Sequence, residues 1–177
     1  MKTKIKKRYK VGVLGGTFDP PHIGHLNISK IAIKILKLDN LIWVVAKQNP
    51  LKTKPYLSVK ARLLLSKHIV KKRKKISVTY LNNKIKSLST YKILKYLKKI
   101  NKNNKLFFIM GSDNLVQFHK WKNWKKITEV AKIVVFPRTN YPNKSFNSII
   151  SKVLKKDDLI YINSKKMNIS SSLIRKF

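Results

Sequence analysis

Short apolar runs rich in β-branched residues recur along the chain at Val11–Leu14, Leu41–Ala46, Ile76–Tyr80, Leu106–Met110, Ile133–Phe136 and Leu159–Ile162. Each has the length of a buried strand. Between them the apolar spacing becomes that of a helix, over His25–Leu38, Ser58–Val70, Thr90–Ile100, Trp124–Val130 and Phe146–Leu154, with a last piece beginning near Ser170. Ser58 is a natural N-cap. In the first helix Lys30, Lys34 and Lys37 follow an i, i+4, i+7 pattern, while Ile28, Ile31, Ala32, Ile35 and Leu36 fill the other side. Tyr91–Ile100 repeats this, with Lys92, Lys95 and Lys99 set against Ile93, Leu94, Leu97 and Ile100. Strand and helix alternate almost throughout, and the strands are apolar on both sides. That pattern predicts an α/β domain, a parallel sheet of about six strands with helices on both faces. Ligands bind such sheets beyond the carboxyl ends of the strands, so candidate chemistry belongs just after a strand.

The chain has 177 residues, with no internal repeat and no linker, and reads as one domain over residues 1–177. Its 42 Lys and Arg against 6 Asp and Glu give a net charge of +36, which raises nucleic acid as a partner. Hydrophobic residues make up 43% of it, so it carries a folded core. Of the basic residues 37 are Lys and only 5 are Arg, spread along the chain, whereas phosphate and base readers favour the bidentate fork of Arg. The densest run, Lys71-Lys72-Arg73-Lys74-Lys75, falls between a helix and a strand, where cations suit the helix dipole. Most of the charge therefore reads as solvated surface.

There is no cysteine, which excludes a disulfide scaffold, a thiolate nucleophile and a sulfur-bound zinc, and agrees with a cytoplasmic location. No apolar run approaches the roughly 18 residues of a membrane span, so a soluble protein without a membrane partner is expected. The basic start, Met1 to Lys10, is followed by Val11–Phe18 and then Asp19-Pro20-Pro21-His22 rather than a cleavage site, and reads as mature sequence.

Four of the five glycines, Gly12, Gly15, Gly16 and Gly24, fall within the first 24 residues. The segment after the first strand is Gly15-Gly16-Thr17-Phe18-Asp19-Pro20-Pro21-His22-Ile23-Gly24-His25-Leu26. It lacks the Lys-Ser/Thr of a P-loop and the spacing of the dinucleotide fingerprint. It offers a tight glycine turn through which backbone can approach a ligand, and two histidines at i, i+3 in the first turn of a helix, beside free N–H groups and the positive dipole end. That is an anion site. Helix capping alone would suit either histidine, and a two-histidine metal site would have only Asp19 as a nearby acid.

Thr17-Phe18-Asp19-Pro20…His22-x-Gly24-His25 resembles the first signature of the nucleotidyltransferase superfamily that includes the nicotinate-mononucleotide, pantetheine-phosphate and cytidylyl enzymes. Ile169-Ser170-Ser171-Ser172-Leu173-Ile174-Arg175 resembles its second signature, with Ser172 replacing the usual Thr. Ser170 can cap that last helix, and Arg175 can reach an anion with its fork. Among members, His-x-Gly-His resembles the nicotinate enzymes, whereas pantetheine-phosphate enzymes generally carry Thr-x-Gly-His. Asn49-Pro50-Leu51-Lys52 resembles the family's Pro-Pro-His-Lys loop, with Leu51 departing from its His. Ser89-Thr90-Tyr91, Gly111-Ser112-Asp113 and Phe118–Trp124 also match family segments.

The resemblance implies a Rossmann-like doubly wound sheet and a bacterial nicotinate-mononucleotide adenylyltransferase of NAD biosynthesis, with ATP and nicotinate mononucleotide as substrates. It implies His22, His25 and Arg175 as catalytic residues. It further implies Gly15, Gly16, Thr17, Phe18, Gly111, Asp113, Ser171 and Ser172 around ATP and its phosphates. Lys52, Thr90, Trp121 and Arg138 would surround the mononucleotide, with Thr90 near its carboxylate and Trp121 on its pyridine ring. Without the resemblance Trp121 and Trp124 read as core, and Arg138 reads equally as surface charge. With so few acids no protein-bound metal is expected, and Mg²⁺ would be held mainly by substrate phosphates. A sister enzyme using pantetheine phosphate or nicotinamide mononucleotide is the nearest rival, and a basic nucleic-acid-binding protein is the rival of another class. Only two residues follow Arg175, fewer than in relatives, so the terminal helix is expected to be short, poorly anchored or supported by another subunit of a homo-oligomer.

Overall fold

The computed structural model describes residues 8–49, 51, 53–87, 89–100, 102–138, 153–162 and 171–175, without the side chains of Lys156, Ser172 and Leu173. All six predicted strands are present, as β1 Lys10–Gly16, β2 Asn40–Val45, β3 Ile76–Thr79, β4 Lys105–Gly111, β5 Ala131–Phe136 and β6 Leu159–Tyr161. They form one sheet in the order β3-β2-β1-β4-β5-β6, every pair parallel. The order reverses between β1 and β4, whose Leu14 and Ile109 stand in register at the carboxyl ends. A crevice opens at such a reversal because the two connections leave toward opposite faces.

The strands alternate between two cores, as period-2 geometry requires. Val11, Val13, Leu106, Phe108, Ile133 and Val135 point to one face. There they meet α4 Thr90–Ile100, α5 Ser112–Val116 and α6 Trp124–Thr128 through Ile93, Leu94, Leu115 and Ile127. Leu41, Trp43, Phe107, Ile109 and Val134 point to the other face, against α1 Ile23–Leu36 and α2 Val59–Val70 through Leu26, Ala32 and Val70. The four central strands thus have the burial that their apolar sequence demanded, while the edge strands β3 and β6 are only partly buried.

Ser58 caps α2 as expected, its side chain accepting from the Ala61 N–H at 3.2 Å. The helix predicted over Trp124–Val130 ends at Thr128. The short α3 Asn82–Ile85 and α5, and the 3₁₀ turns Phe118–Lys120 and Lys156–Asp158, were not foreseen; each is too brief to show an apolar period. Residues 146–152 of the helix predicted over Phe146–Leu154 lie outside the described residues, as does Ser170. The last helix is described as α7 Ser171–Ile174. Lys71–Lys75 is exposed between α2 and β3. Among the described residues no helix is long and apolar enough to cross a membrane.

Candidate active site

A cleft of about 1010 Å³ opens over the carboxyl ends of β1, β2 and β4, at the reversal of strand order. Gly15, Gly16, Thr17, Phe18, His25, Thr90, Gly111, Trp121, Arg138, Ser171 and Arg175 all line it. Residues from both ends of the chain therefore meet in one place. His22 and Asp113 lie one layer behind, His22 with its ring centroid 3.9 Å from that of His25 and Asp113 beside Arg138. Lys52 and the side chain of Ser172 lie outside the described residues.

The glycine turn is made differently from the expectation. Neither Gly15 nor Gly16 has positive φ; both remain in β1, and the left-handed residue of the loop is Phe18, at φ 51°. Gly15 serves by lacking a side chain, whereas Gly16 has room for a Cβ. A Cβ at Gly15 would stand 3.3 Å from the Phe108 ring, and one at Gly16 would stand 3.4 Å from Phe18. Phe18 holds its unusual backbone because its ring is buried and stacked on Trp43, with centroids 5.0 Å apart, and tilted on His25 at 4.8 Å. Trp43 donates through Nε1 to Ser29 Oγ at 2.8 Å, and Ser29 donates to the His25 carbonyl at 2.7 Å, so the aromatic platform also fixes the start of α1.

The two histidines close a reciprocal cap. His22 is the N-cap of α1, and its Nδ1 accepts from the Gly24 N–H at 3.1 Å. The His22 N–H in turn donates to His25 Nδ1 at 3.2 Å. This is a capping box with imidazoles in place of the usual hydroxyl and carboxylate. Because both Nδ1 atoms accept, each ring must carry its proton on Nε2. Burial, and then the positive Arg138, lower the His22 pKa to about 4. Burial, then His22, then Arg138 hold His25 well below its ordinary value. Both rings are neutral N–H donors at pH 7, and the buried His22 Nε2 has no hydrogen-bond partner among the described residues. The capping reading of these histidines is therefore what the geometry shows.

Asp19, only 3% exposed, is a junction. Its carboxylate accepts from the Tyr56 N–H at 2.8 Å and the Leu57 N–H at 2.9 Å, and stands 3.6 Å from Arg175 Nη1. Arg175 also donates to the Asp19 carbonyl and lies over the Tyr56 ring, while Ser171 Oγ donates to the Pro20 carbonyl at 2.9 Å. The last helix is short, as expected, but it is anchored on the β1–α1 loop of its own chain. On the other wall, Arg138 pairs with Asp113 at 3.5 Å and its N–H donates to Ser112 Oγ at 2.9 Å. Gly111 makes room for that pair, since a Cβ there would lie 2.5 Å from Asp113 Oδ1. Trp121 is half-buried, edge-on to Phe108 and Phe118, and presents its remaining surface to the cleft. Trp124 packs on Phe118. Among the described residues no group of three or more His, Cys, Asp or Glu side chains comes together.

Asn82 and Arg62 are buried polar residues that carry no sequence signal. Asn82 accepts from the Lys47 N–H at 3.3 Å and donates to the Ser87 carbonyl at 2.7 Å, joining the β2 end to the turn before α4. Arg62 is fully buried in α2, on a stripe with Ser66 and Val70.

A model of the cytidylyltransferase-like family matches residues 13–177. A Pelagibacter ubique protein named "Probable nicotinate-nucleotide adenylyltransferase" is 46% identical over 171 residues, spanning 97% of this chain and 94% of its own. The chain belongs to the nicotinate-nucleotide adenylyltransferase family. A Clostridium tetani protein of the same name is 34% identical over 174 residues, spanning 94% of this chain and 86% of its own. The Plasmodium falciparum nicotinic acid mononucleotide adenylyltransferase, solved in complex with APC and in complex with NaAD, shares the fold at a TM-score of 0.73 and 21% identity, with 96% of this chain and 83% of that chain covered. The nicotinate-nucleotide adenylyltransferase fold therefore accounts for the whole sheet.

Proposed function

We propose that the cleft transfers the adenylyl group of ATP to the 5′-phosphate of nicotinate mononucleotide, giving nicotinate adenine dinucleotide and pyrophosphate, a step of NAD biosynthesis. A phosphate oxygen of the mononucleotide forms a bond to the α-phosphorus of ATP, and the bond from that phosphorus to the bridging oxygen breaks as pyrophosphate leaves. The nucleophile is already ionised, so no general base is needed. The work is alignment of the two phosphates and stabilisation of the charge that builds on the α-phosphoryl oxygens and the leaving group.

The observation that carries this reading is the reciprocal histidine cap beside the cleft, which keeps two neutral Nε2–H donors at the positive end of α1. Arg175 and Ser171 approach from the carboxyl end of the chain to border the same loop. We assign Thr90, Trp121 and Arg138, with Lys52, to the mononucleotide side. Mg²⁺ enters with ATP as part of the substrate; Asp19 and Asp113 are each already paired with an arginine. A cytoplasmic setting, where ATP is supplied, belongs to the same reading.

Pyrophosphate release from ATP, measured with nicotinate mononucleotide, nicotinamide mononucleotide and pantetheine phosphate as separate acceptors, tests it. Fastest turnover with the nicotinate acceptor is expected, and equal or faster turnover with either other acceptor would overturn the assignment.

A further inference from the structure

Arg62 belongs to none of the signature motifs, is only 1% exposed, and uses its guanidinium wholly on main-chain carbonyls. Nη1 donates to Thr17 at 2.6 Å and to Ala46 at 2.7 Å, Nη2 donates to Lys47 at 3.0 Å, and Nε donates to Leu57 at 3.0 Å. These carbonyls belong to three separate segments: the loop after β1, the loop after β2 and the turn entering α2. Asp19 grips the last of them from the other side, through the Tyr56 and Leu57 N–H groups. The Leu57 residue is thus held at its N–H by one loop and at its carbonyl by the arginine.

A buried guanidinium is expensive to desolvate, and an apolar side chain of similar volume generally serves stability as well or better. What the guanidinium supplies is geometry, because a planar fork fixes several acceptors at once where a lysine fixes a point. Thr17 lies between the cleft-facing Gly16 and Phe18, and Ala46–Lys47 leads directly into Gln48 and Asn49, which also line the cleft. We propose that Arg62 is a positioning residue for adenylyl transfer. It holds the phosphate-side loop and the acceptor-side loop in one frame, so that the two phosphates meet in line without either substrate having to order the loops. This rests on the adenylyl-transfer reading, and a misplacement of the order of an ångström is enough to slow such a step by about a hundredfold.

The test uses the full-length chain with Arg62→Lys and Arg62→Ala. Arg62→Lys is expected to stay folded by circular dichroism and to bind ATP alone within about threefold of wild type, while saturated turnover falls by about tenfold or more. Low, non-denaturing guanidinium is expected to restore part of the Arg62→Ala turnover and leave wild type unchanged. A residue that only stabilised the fold would lower the melting temperature without changing kcat per folded molecule, so a folded Arg62→Lys with kcat within about twofold of wild type overturns the proposal. Amide exchange provides a readout that does not need catalysis. It should quicken together at residues 16–18 and 47–49 in Arg62→Lys while α4 is unchanged, and quickening in one loop alone refutes the shared frame. If wild type releases no pyrophosphate with any acceptor, the adenylyl-transfer reading fails, and the exchange result still decides the loop frame.

Discussion

Lowering the pH should leave both His22 and His25 neutral far below the point at which imidazoles usually charge. A proton on His22 Nδ1 would break its bond from the Gly24 N–H and place a cation in a buried site facing Arg138. With a pKa of about 4, His22 is about 1% protonated at pH 6 and about 9% at pH 5. A histidine at the ordinary 6.5 would be about 76% and 97% protonated at those values. Long-range ¹H–¹⁵N spectra of ligand-free protein labelled at its imidazoles separate these cases and report the tautomer directly, with His22→Asn, which keeps a capping side chain, assigning the signals. Kinetics alone would be less clean, since the second pKa of a 5′-phosphate lies near 6 and titrates the nucleophile in the same range.

The expected spectrum is the Nε2–H tautomer for His22 and His25 from pH 8 to pH 5. Charging of His22 with a midpoint near 6.5, or an Nδ1–H tautomer at either ring, refutes the cap as the device that sets the donors. Stability follows by linkage. Below 6.5 the unfolded His22 takes up a proton that the folded one refuses until about 4, so the unfolded state holds more protons in that window. Folding stability contributed at this residue is therefore lost as the pH falls from 6.5 toward 4, and a urea titration of His22→Asn should show a smaller loss.

Trp121→Ala should raise the KM for the mononucleotide more than that for ATP in steady-state assays, and equal effects would remove Trp121 from the pyridine side. Gly111→Ala puts a Cβ 2.5 Å from Asp113 Oδ1 and 3.0 Å from Arg138 Nε, so it should dislodge their pair and raise the KM for the mononucleotide several-fold, with Arg138→Ala producing the same change. Gly12→Ala puts a Cβ 2.7 Å from Leu38 Cδ1 and 3.0 Å from Leu41 Cγ, at a residue that does not line the cleft; urea unfolding should show a loss of about 1–3 kcal/mol, with kcat unchanged. His25→Ala should cut kcat well over tenfold, whereas added salt should raise both KM values with little change in kcat, and a large salt effect on kcat would contradict that division.

The fold was legible because its signals are long-range and redundant: six apolar runs, each between helical patterns, leave little choice but a covered parallel sheet. The site was legible where a motif is contiguous, as in Thr17–His25 and Ser171–Arg175. It was obscure where a buried side chain bonds distant backbone, since Arg62 and Asn82 contact residues 5 to 45 and 5 to 35 positions away and spacing says nothing of that. The glycines were read for freedom of φ, but the sheet keeps them extended, and the left-handed turn went to Phe18 because burial on Trp43 outweighs its backbone cost. Asp19 looked like a stray acid near two histidines; its partners are two N–H groups and an arginine that only the folded loops bring to it.

The positive charge and the histidine pair do different work. A net charge of +36 over 177 residues gives a positive field that, on the proposed reading, would draw in ATP, the mononucleotide and the dinucleotide product alike. Attraction shared by ground and transition states adds to binding and leaves the chemical step untouched. A barrier is lowered only by groups whose bonds strengthen as charge moves onto the α-phosphoryl oxygens and the departing pyrophosphate, and such groups must already be aimed. On the adenylyl-transfer proposal the two Nε2–H donors are assigned that role, their other ring nitrogens being tied to the backbone of the same helix turn. Neutrality helps as well, since an aimed neutral donor strengthens its bond as negative charge accumulates without holding the highly charged pyrophosphate product as a full cation would. On that proposal the lysines can be many and loosely placed, while the histidines act as a capped, uncharged pair.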